Sequence, residues 1–261
     1  MILGAIILRD IPKEQVLIDL NSYPIQGGFR GFSMVPPGLH YVKIKSGRNY
    51  YGFWHFLKPS EVIVKVFDYE SNSFVNDSTE STENYRNLAL SGNMGTALRP
   101  YQHESFGAWF GLIQNISENN FPPIIYPIES GSGKRFEMAF KNTHSRNIDS
   151  FLSEFQYAFS AWLMSSGNEK ENAKAYERWK HLLLSLYNAG ESIMSEYPSL
   201  FSKLTDTIIH QFDTLSLEWF KPDSYIVSQI NYLIEDMKDC AKEDLAIKSG
   251  ELSAYIKKRM G

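Results

Sequence analysis

Residues 1–12 read Met-Ile-Leu-Gly-Ala-Ile-Ile-Leu-Arg-Asp-Ile-Pro. The first eight form an apolar run that stops at Arg9 and Asp10. Crossing a bilayer takes about 20 apolar residues, and no basic segment precedes the run as in a secretory leader, so it reads as a first strand, Ile2 to Leu8. Working outward, further short apolar runs follow at Val16–Leu20, Leu39–Ile44, Tyr51–Leu57 and Val62–Phe67. Between them stand Ile11-Pro12-Lys13, Gly27-Gly28, Val35-Pro36-Pro37-Gly38, Ser46-Gly47-Arg48-Asn49 and Lys58-Pro59-Ser60, residues that fix φ, permit positive φ or cap locally. Strand and turn in this rhythm predict a meander folded into a β-sandwich or barrel.

The whole chain has 261 residues, 43% apolar and 21% charged, close to the averages for soluble globular proteins and unlike a disordered or disulfide-built chain. Lys and Arg number 26 against 30 Asp and Glu, a net charge of −4 that repels polyphosphate, so direct nucleic-acid binding is not expected. Cys240 is the single cysteine, which excludes an internal disulfide or a thiolate cluster and suits a reducing compartment. The densest later apolar segment, Phe151 to Met164, is interrupted by Glu154 and Gln156, so no membrane span is expected.

Residues 68–84 are acidic and hydroxyl-rich and predict an exposed loop. Helices are expected at Tyr85–Leu98 and Glu104–Ile116, the second with Phe106, Trp109, Phe110 and Ile113 at helical spacing. Pro122, Pro123 and Pro127 exclude a regular helix there, and Arg135–Phe140 reads as one late strand. The polar stretch Asn142–Asn147 sets the boundary between a β-rich domain, 1–141, and a helical domain, 148–261. In the latter the period is helical throughout. Helices are expected from Ile148, capped by Asp149 or Ser150, to Ser165-Ser166-Gly167; from Lys170 to Asn188, stopped by Ala189-Gly190; from Pro198 to Leu215; from Ser224 to Ala241; and from Glu243 to Lys258, with a short turn around Trp219. Short connections make neighbours antiparallel in a curved array.

The string Phe29-Arg30-Gly31-Phe32-Ser33-Met34-Val35-Pro36-Pro37-Gly38-Leu39-His40 resembles the signature of the Aar-two family of splicing factors. Gly4–Leu8 with Ile11-Pro12, Ile18–Tyr23, and Tyr51–Trp54 are similar to its other N-terminal strands, and Ser153–Phe159 and Tyr176–Leu183 to two of its C-terminal helices. The resemblance implies an α+β protein, with a β-sandwich or barrel-like domain carrying a few helices followed by an all-α, VHS-like array. It also implies a non-enzymatic factor, without cofactors, that assembles the U5 small nuclear ribonucleoprotein. Such a factor binds the RNase H-like domain of the particle's large scaffold protein and keeps its RNA helicase off until maturation. Residence in cytoplasm and nucleus, a monomeric free state and no membrane contact complete the expectation.

The signature stretch admits two readings. In one, Met34, Val35 and Leu39 fill the sheet core, Arg30 ion-pairs or caps locally, and His40 is a satisfied structural imidazole. In the other, Arg30, Phe32, Met34, Pro36 and Pro37 contact the partner. The six histidines lack metal-binding spacing, and Gly131-Ser132-Gly133-Lys134-Arg135 departs from a phosphate loop at its first Gly and at the position after Lys134. Ser165 and Ser166, just before a helix, are candidates for a phosphate-sensitive switch. Two rival functions are a VHS-like adaptor for ubiquitin or cargo peptides, and a helix-turn-helix with its turn at Gly250, between Leu245-Ala246 and Ile256. Trp179, sharing a helical face with Tyr176, Leu183 and Leu186, belongs to a core.

Overall fold

The computed structural model describes residues 3–121, 136–165, 169–187 and 189–261. Packing divides the chain into two compact units, the first ending at Trp109 and the second built from Phe110–Ser165 and Lys170–Gly261.

The first unit holds two sheets. One has five strands in the order β8 (Ser73–Asn76), β7 (Val62–Asp68), β1 (Gly4–Arg9), β4 (Gly31–Val35), β9 (Leu98–Pro100). The other orders β3 (Asn21–Pro24), β2 (Gln15–Ile18), β5 (Gly38–Ser46) and β6 (Asn49–Leu57). The opening apolar run is central, and strand alternation explains why it has no polar face. Ile6 and Leu8 enter the layer between the sheets with Phe32, Val42, Ile44 and Phe67. Ala5 and Ile7 lie on the opposite face with Val62, Val64 and Leu98, covered by Tyr85 and Ala89 of α1 (Thr79–Leu90).

A sandwich is therefore present, but not as a simple meander. β1 pairs antiparallel with β4 and parallel with β7, so the first strand receives its neighbours from distant sequence. Four strands lie outside the expected set. The largest difference is β4, because Gly31 to Val35 lies between the expected strands Val16–Leu20 and Leu39–Ile44. The 68–84 stretch supplies β8 and the start of α1, whose N-cap Ser78 accepts a hydrogen bond from the Ser81 amide at 3.2 Å. That helix stops at Leu90, before Gly92 (φ 75°) and Gly95 (φ 45°), and Leu98 begins β9 instead of ending a helix. The expected helix Glu104–Ile116 is shorter, a 3₁₀ turn at His103–Ser105 leading into α2 (Phe106–Ile113).

The second unit is helical. α3 (Ile148–Met164), α4 (Glu169–Tyr187), α6 (Pro198–Asp213), α7 (Tyr225–Asp239) and α8 (Glu243–Met260) occupy the expected segments, with Trp219 in a 3₁₀ turn at Leu217–Phe220. α4 ends at Tyr187, ahead of the expected stop at Ala189-Gly190, and Gly190 (φ 76°) then begins a short α5 (Gly190–Glu196) outside the expected set. α3 is capped by Asn147, not Asp149 or Ser150; its side chain accepts from the Ser150 amide at 2.9 Å. The polar stretch 142–147 thus leads into α3.

The late strand is absent from its described part: Glu137–Thr143 forms a π-helical turn. Phe136 and Phe140, four residues apart, bring their ring centroids to 5.4 Å and both pack on Phe151 at 5.8 Å, which a helical turn rising about 6 Å over four residues allows and a strand advancing about 13 Å does not. Gly250 sits in the middle of α8 with open space around it, so the segment has no turn there and the helix-turn-helix reading fails. Trp179 is fully buried and donates its indole N–H to Gln211 Oε1 at 2.9 Å.

Candidate functional site

The signature stretch is a ribbon held in one shape. Gly31 approaches β1 so closely that a Cβ would stand 2.0 Å from the Ile6 carbonyl oxygen, at a φ of 139° that side chains disfavour. Gly4 faces Val35 while Ile6 faces Phe32, so β4 carries one residue more than β1 across the same span. The surplus is a bulge, with Met34 at a φ of 57°. A bulge shifts side-chain alternation by one. Phe32 and Val35 are both buried, and Met34, which an uninterrupted strand would turn inward with Phe32, is 49% exposed.

Beyond the bulge, Pro36 and Pro37 turn the chain into β5, and a buried polar cluster holds that turn. His40 donates from Nε2 to the Pro36 carbonyl and from Nδ1 to Asp19 Oδ2, both at 2.7 Å. The same carboxylate accepts from the Tyr101 hydroxyl at 2.8 Å and, through Oδ1, from the Tyr41 amide at 3.0 Å. Burial disfavours charge on His40, yet the Asp19 carboxylate and the Pro36 carbonyl outweigh it and raise its pKa. Burial and Asp19 likewise push the Tyr101 hydroxyl up. The Trp109 indole N–H donates to the Leu39 carbonyl at 2.8 Å, fixing the next residue. Asp19 and His40 are each 1% exposed. Their chemistry is that of a clamp, since no solute reaches them without unfolding the turn.

The sequence candidates accordingly separate. Phe32 and Pro36 are buried, Pro37 is half-buried, and Arg30 and Met34 are exposed. The expected core position of Met34 is corrected by the bulge. Among the described residues Arg30 makes no ion pair; its main chain accepts from the Leu8 amide at 2.8 Å and donates to Ala97 at 2.7 Å. Val35 and Leu39 are core residues and His40 is the satisfied imidazole that its place on β5 predicts. Asp19 and Tyr101 escape sequence reasoning because they lie 21 and 82 positions from the partners they hold.

The helical unit contains a second buried cluster. His144 contacts Ser150 Oγ at 2.8 Å and Glu154 Oε2 at 2.5 Å, and Glu154 is ion-paired with Arg178. Burial and the nearby Arg178 charge lower the His144 pKa to about 4, and burial lowers Arg178 to about 10. A neutral His144 therefore donates to Glu154 and accepts from Ser150. Ser165 closes α3: its hydroxyl donates to the Trp162 carbonyl at 2.8 Å and accepts from Asn172 Nδ2 at 3.1 Å. Ser166 and the Gly131–Arg135 string lie outside the described residues. Among the described residues there is no group of three His, Cys, Asp or Glu placed to hold a metal ion, and no helix long and apolar enough to cross a membrane.

Residues 3–125 match the AAR2 N-terminal domain, and residues 132–261 match the AAR2 C-terminal repeat region. The chain belongs to the AAR2 family. It is similar to the AAR2 homolog of Caenorhabditis elegans, with 28% identity over 144 residues that span 50% of this chain but only 40% of that relative. The AAR2 homolog of Oryctolagus cuniculus is 23% identical over 90% of this chain and 78% of its own length. That of Mus musculus is 35% identical over 92 residues, 35% of this chain and 22% of the relative. The ribbon and its clamp lie in the part matched to the AAR2 N-terminal domain, the His144 cluster in the part matched to the AAR2 repeat region.

Proposed function

We propose that this AAR2-family protein is a non-enzymatic assembly factor of the U5 small nuclear ribonucleoprotein in pre-mRNA splicing. It occupies the RNase H-like domain of the particle's large scaffold protein and keeps the RNA helicase off until assembly is complete. Family membership supports a splicing-related role. The binding role is supported by the construction of the signature ribbon. The titratable groups of its clamp, Asp19 and His40, are sealed inside, while a bulge turns the apolar Met34 outward beside the exposed Arg30. Rigid apolar and Arg contacts on a preorganised frame are what protein recognition uses, because little entropy is lost when the partner arrives. In this reading the protein needs no cofactor, is monomeric when free, and passes between cytoplasm and nucleus with its cargo.

The test mixes the full chain with the purified RNase H-like domain and measures calorimetric titration and co-elution. A 1:1 complex with a Kd of about 1 µM or lower is expected, a strength ordinary for specific association. Absence of a complex at tens of micromolar overturns the reading.

A further inference from the structure

Next to the ribbon, the loops that join the first strands enclose a cleft of about 290 Å³ that the ribbon clamp does not explain. Leu8, Ile11, Ile25 and Phe29 contribute its apolar lining, and its solvent-exposed rim is Lys13, Arg30 and Gln26–Gly28. Lys13 and Arg30 are exposed and, among the described residues, neither has an ion-pair partner. Asp10, the one acid in the lining among the described residues, stands 4.0 Å from the Arg9 guanidinium, which is itself bonded to Asp77. The rim is thus a positive point on a chain whose net charge is −4. At the same rim the Gly27 and Gly28 amides donate to no acceptor among the described residues, whereas Phe29 N–H is used by Gln26 and Arg30 N–H by Ala97. Gly28 has a φ of 86° and nothing within 4 Å of its missing side chain, leaving that backbone open to approach.

From this geometry we infer that the cleft is a recognition site for an acidic protein segment, a carboxylate residue beside an aliphatic or aromatic one. The carboxylate meets the two cations and the free glycine amides, donors suited to charge-assisted hydrogen bonds with an anion. The adjacent apolar side chain covers Ile11, Ile25 and Phe29. A nucleic-acid backbone fits worse, since two cations over an apolar lining on a net acidic chain do not track a run of phosphates. The inference rests on the reading of this protein as the holder of a protein partner, and it names the chemistry of one segment that partner would present.

The experiment uses the full chain labelled with ¹⁵N and three probes: a capped peptide alternating leucine with aspartate and glutamate, the same peptide with asparagine and glutamine, and an oligouridylate of equal length. The acidic peptide is expected to shift the Gly27 and Gly28 amide resonances saturably, at least tenfold more tightly than its amide counterpart. The Lys13→Gln, Arg30→Gln double variant should lose that binding at least tenfold with its melting temperature unchanged, because neither side chain makes an internal ion pair. Equal binding of the two peptides, preference for oligouridylate at the same amides, or wild-type affinity in the double variant overturns the inference. Titration of the RNase H-like domain in parallel separates the two claims. If the wild type binds the domain but no acidic peptide, the cleft assignment alone falls; if it does not bind the domain, the assembly reading falls.

Discussion

The imidazole of His40 stands 2.7 Å from the carboxylate of Asp19, both out of contact with solvent, and the other imidazole nitrogen holds the carbonyl of Pro36 at the same distance. One ion pair thus joins β5, the residue after β2 and the turn that closes the signature ribbon. Replacing one partner of such a pair leaves the other charged and dry. His40→Ala should destabilise the fold by about 3–5 kcal/mol in urea or thermal unfolding. A loss under 1 kcal/mol would mean that the turn is held by something else.

The two buried histidines should give stability opposite pH dependences. His40 has a folded-state pKa above its ordinary 6.5, so its contribution is complete below about 6.5 and is lost as pH rises through the elevated value. His144 is lowered to about 4, so its contribution is complete above about 6.5 and is lost as pH falls from there toward 4. Melting temperature against pH, compared for wild type, His40→Asn and His144→Asn, should show the first variant flattening the alkaline limb and the second the acid limb.

Gly31 and Gly38 share an unusual φ, 139° and 134°, but not surroundings. An added methyl at Gly31 meets the Ile6 backbone, whereas at Gly38 it meets open space. Gly31→Ala should cost about 3 kcal/mol or more, combining strain with a backbone clash, and Gly38→Ala only about 1–2 kcal/mol from strain. Parallel denaturant titrations check the ordering.

Met34 couples a strained backbone to an exposed apolar side chain. Met34→Gly relieves the positive φ, so stability should stay within about 1 kcal/mol of wild type or rise. If Met34 contacts the scaffold domain, the same variant should bind it about tenfold more weakly in calorimetry. Unchanged affinity would remove Met34 from the interface.

Trp179 gives the opposite pattern. Fully buried, stacked on Trp162 at 4.9 Å and bonded to Gln211, it should cost about 3–5 kcal/mol on truncation to Ala. Any loss of binding by that variant should track its unfolded fraction, read by circular dichroism on the same samples.

Whatever depends on neighbours along the chain is legible in the residues alone. Strand alternation and turn formers marked β1, β2, β5, β6 and β7, and the helical period with Pro198 and Ser224 at helix starts marked the helices of the second unit. The Phe29–His40 string marked the family. That Gly31–Val35 is a strand emerges with the packed fold, because its hydrogen bonds go to β1 and to β9, some 25 positions before it and 67 after it. The packed fold likewise turns Met34 outward, since one surplus residue against β1 reverses alternation and no local pattern announces a bulge. The clamp is of the same kind: Asp19, His40 and Tyr101 carry no mutual spacing to read, and they meet because two sheets close over them and an unpaired charge in that interior would be too costly to keep.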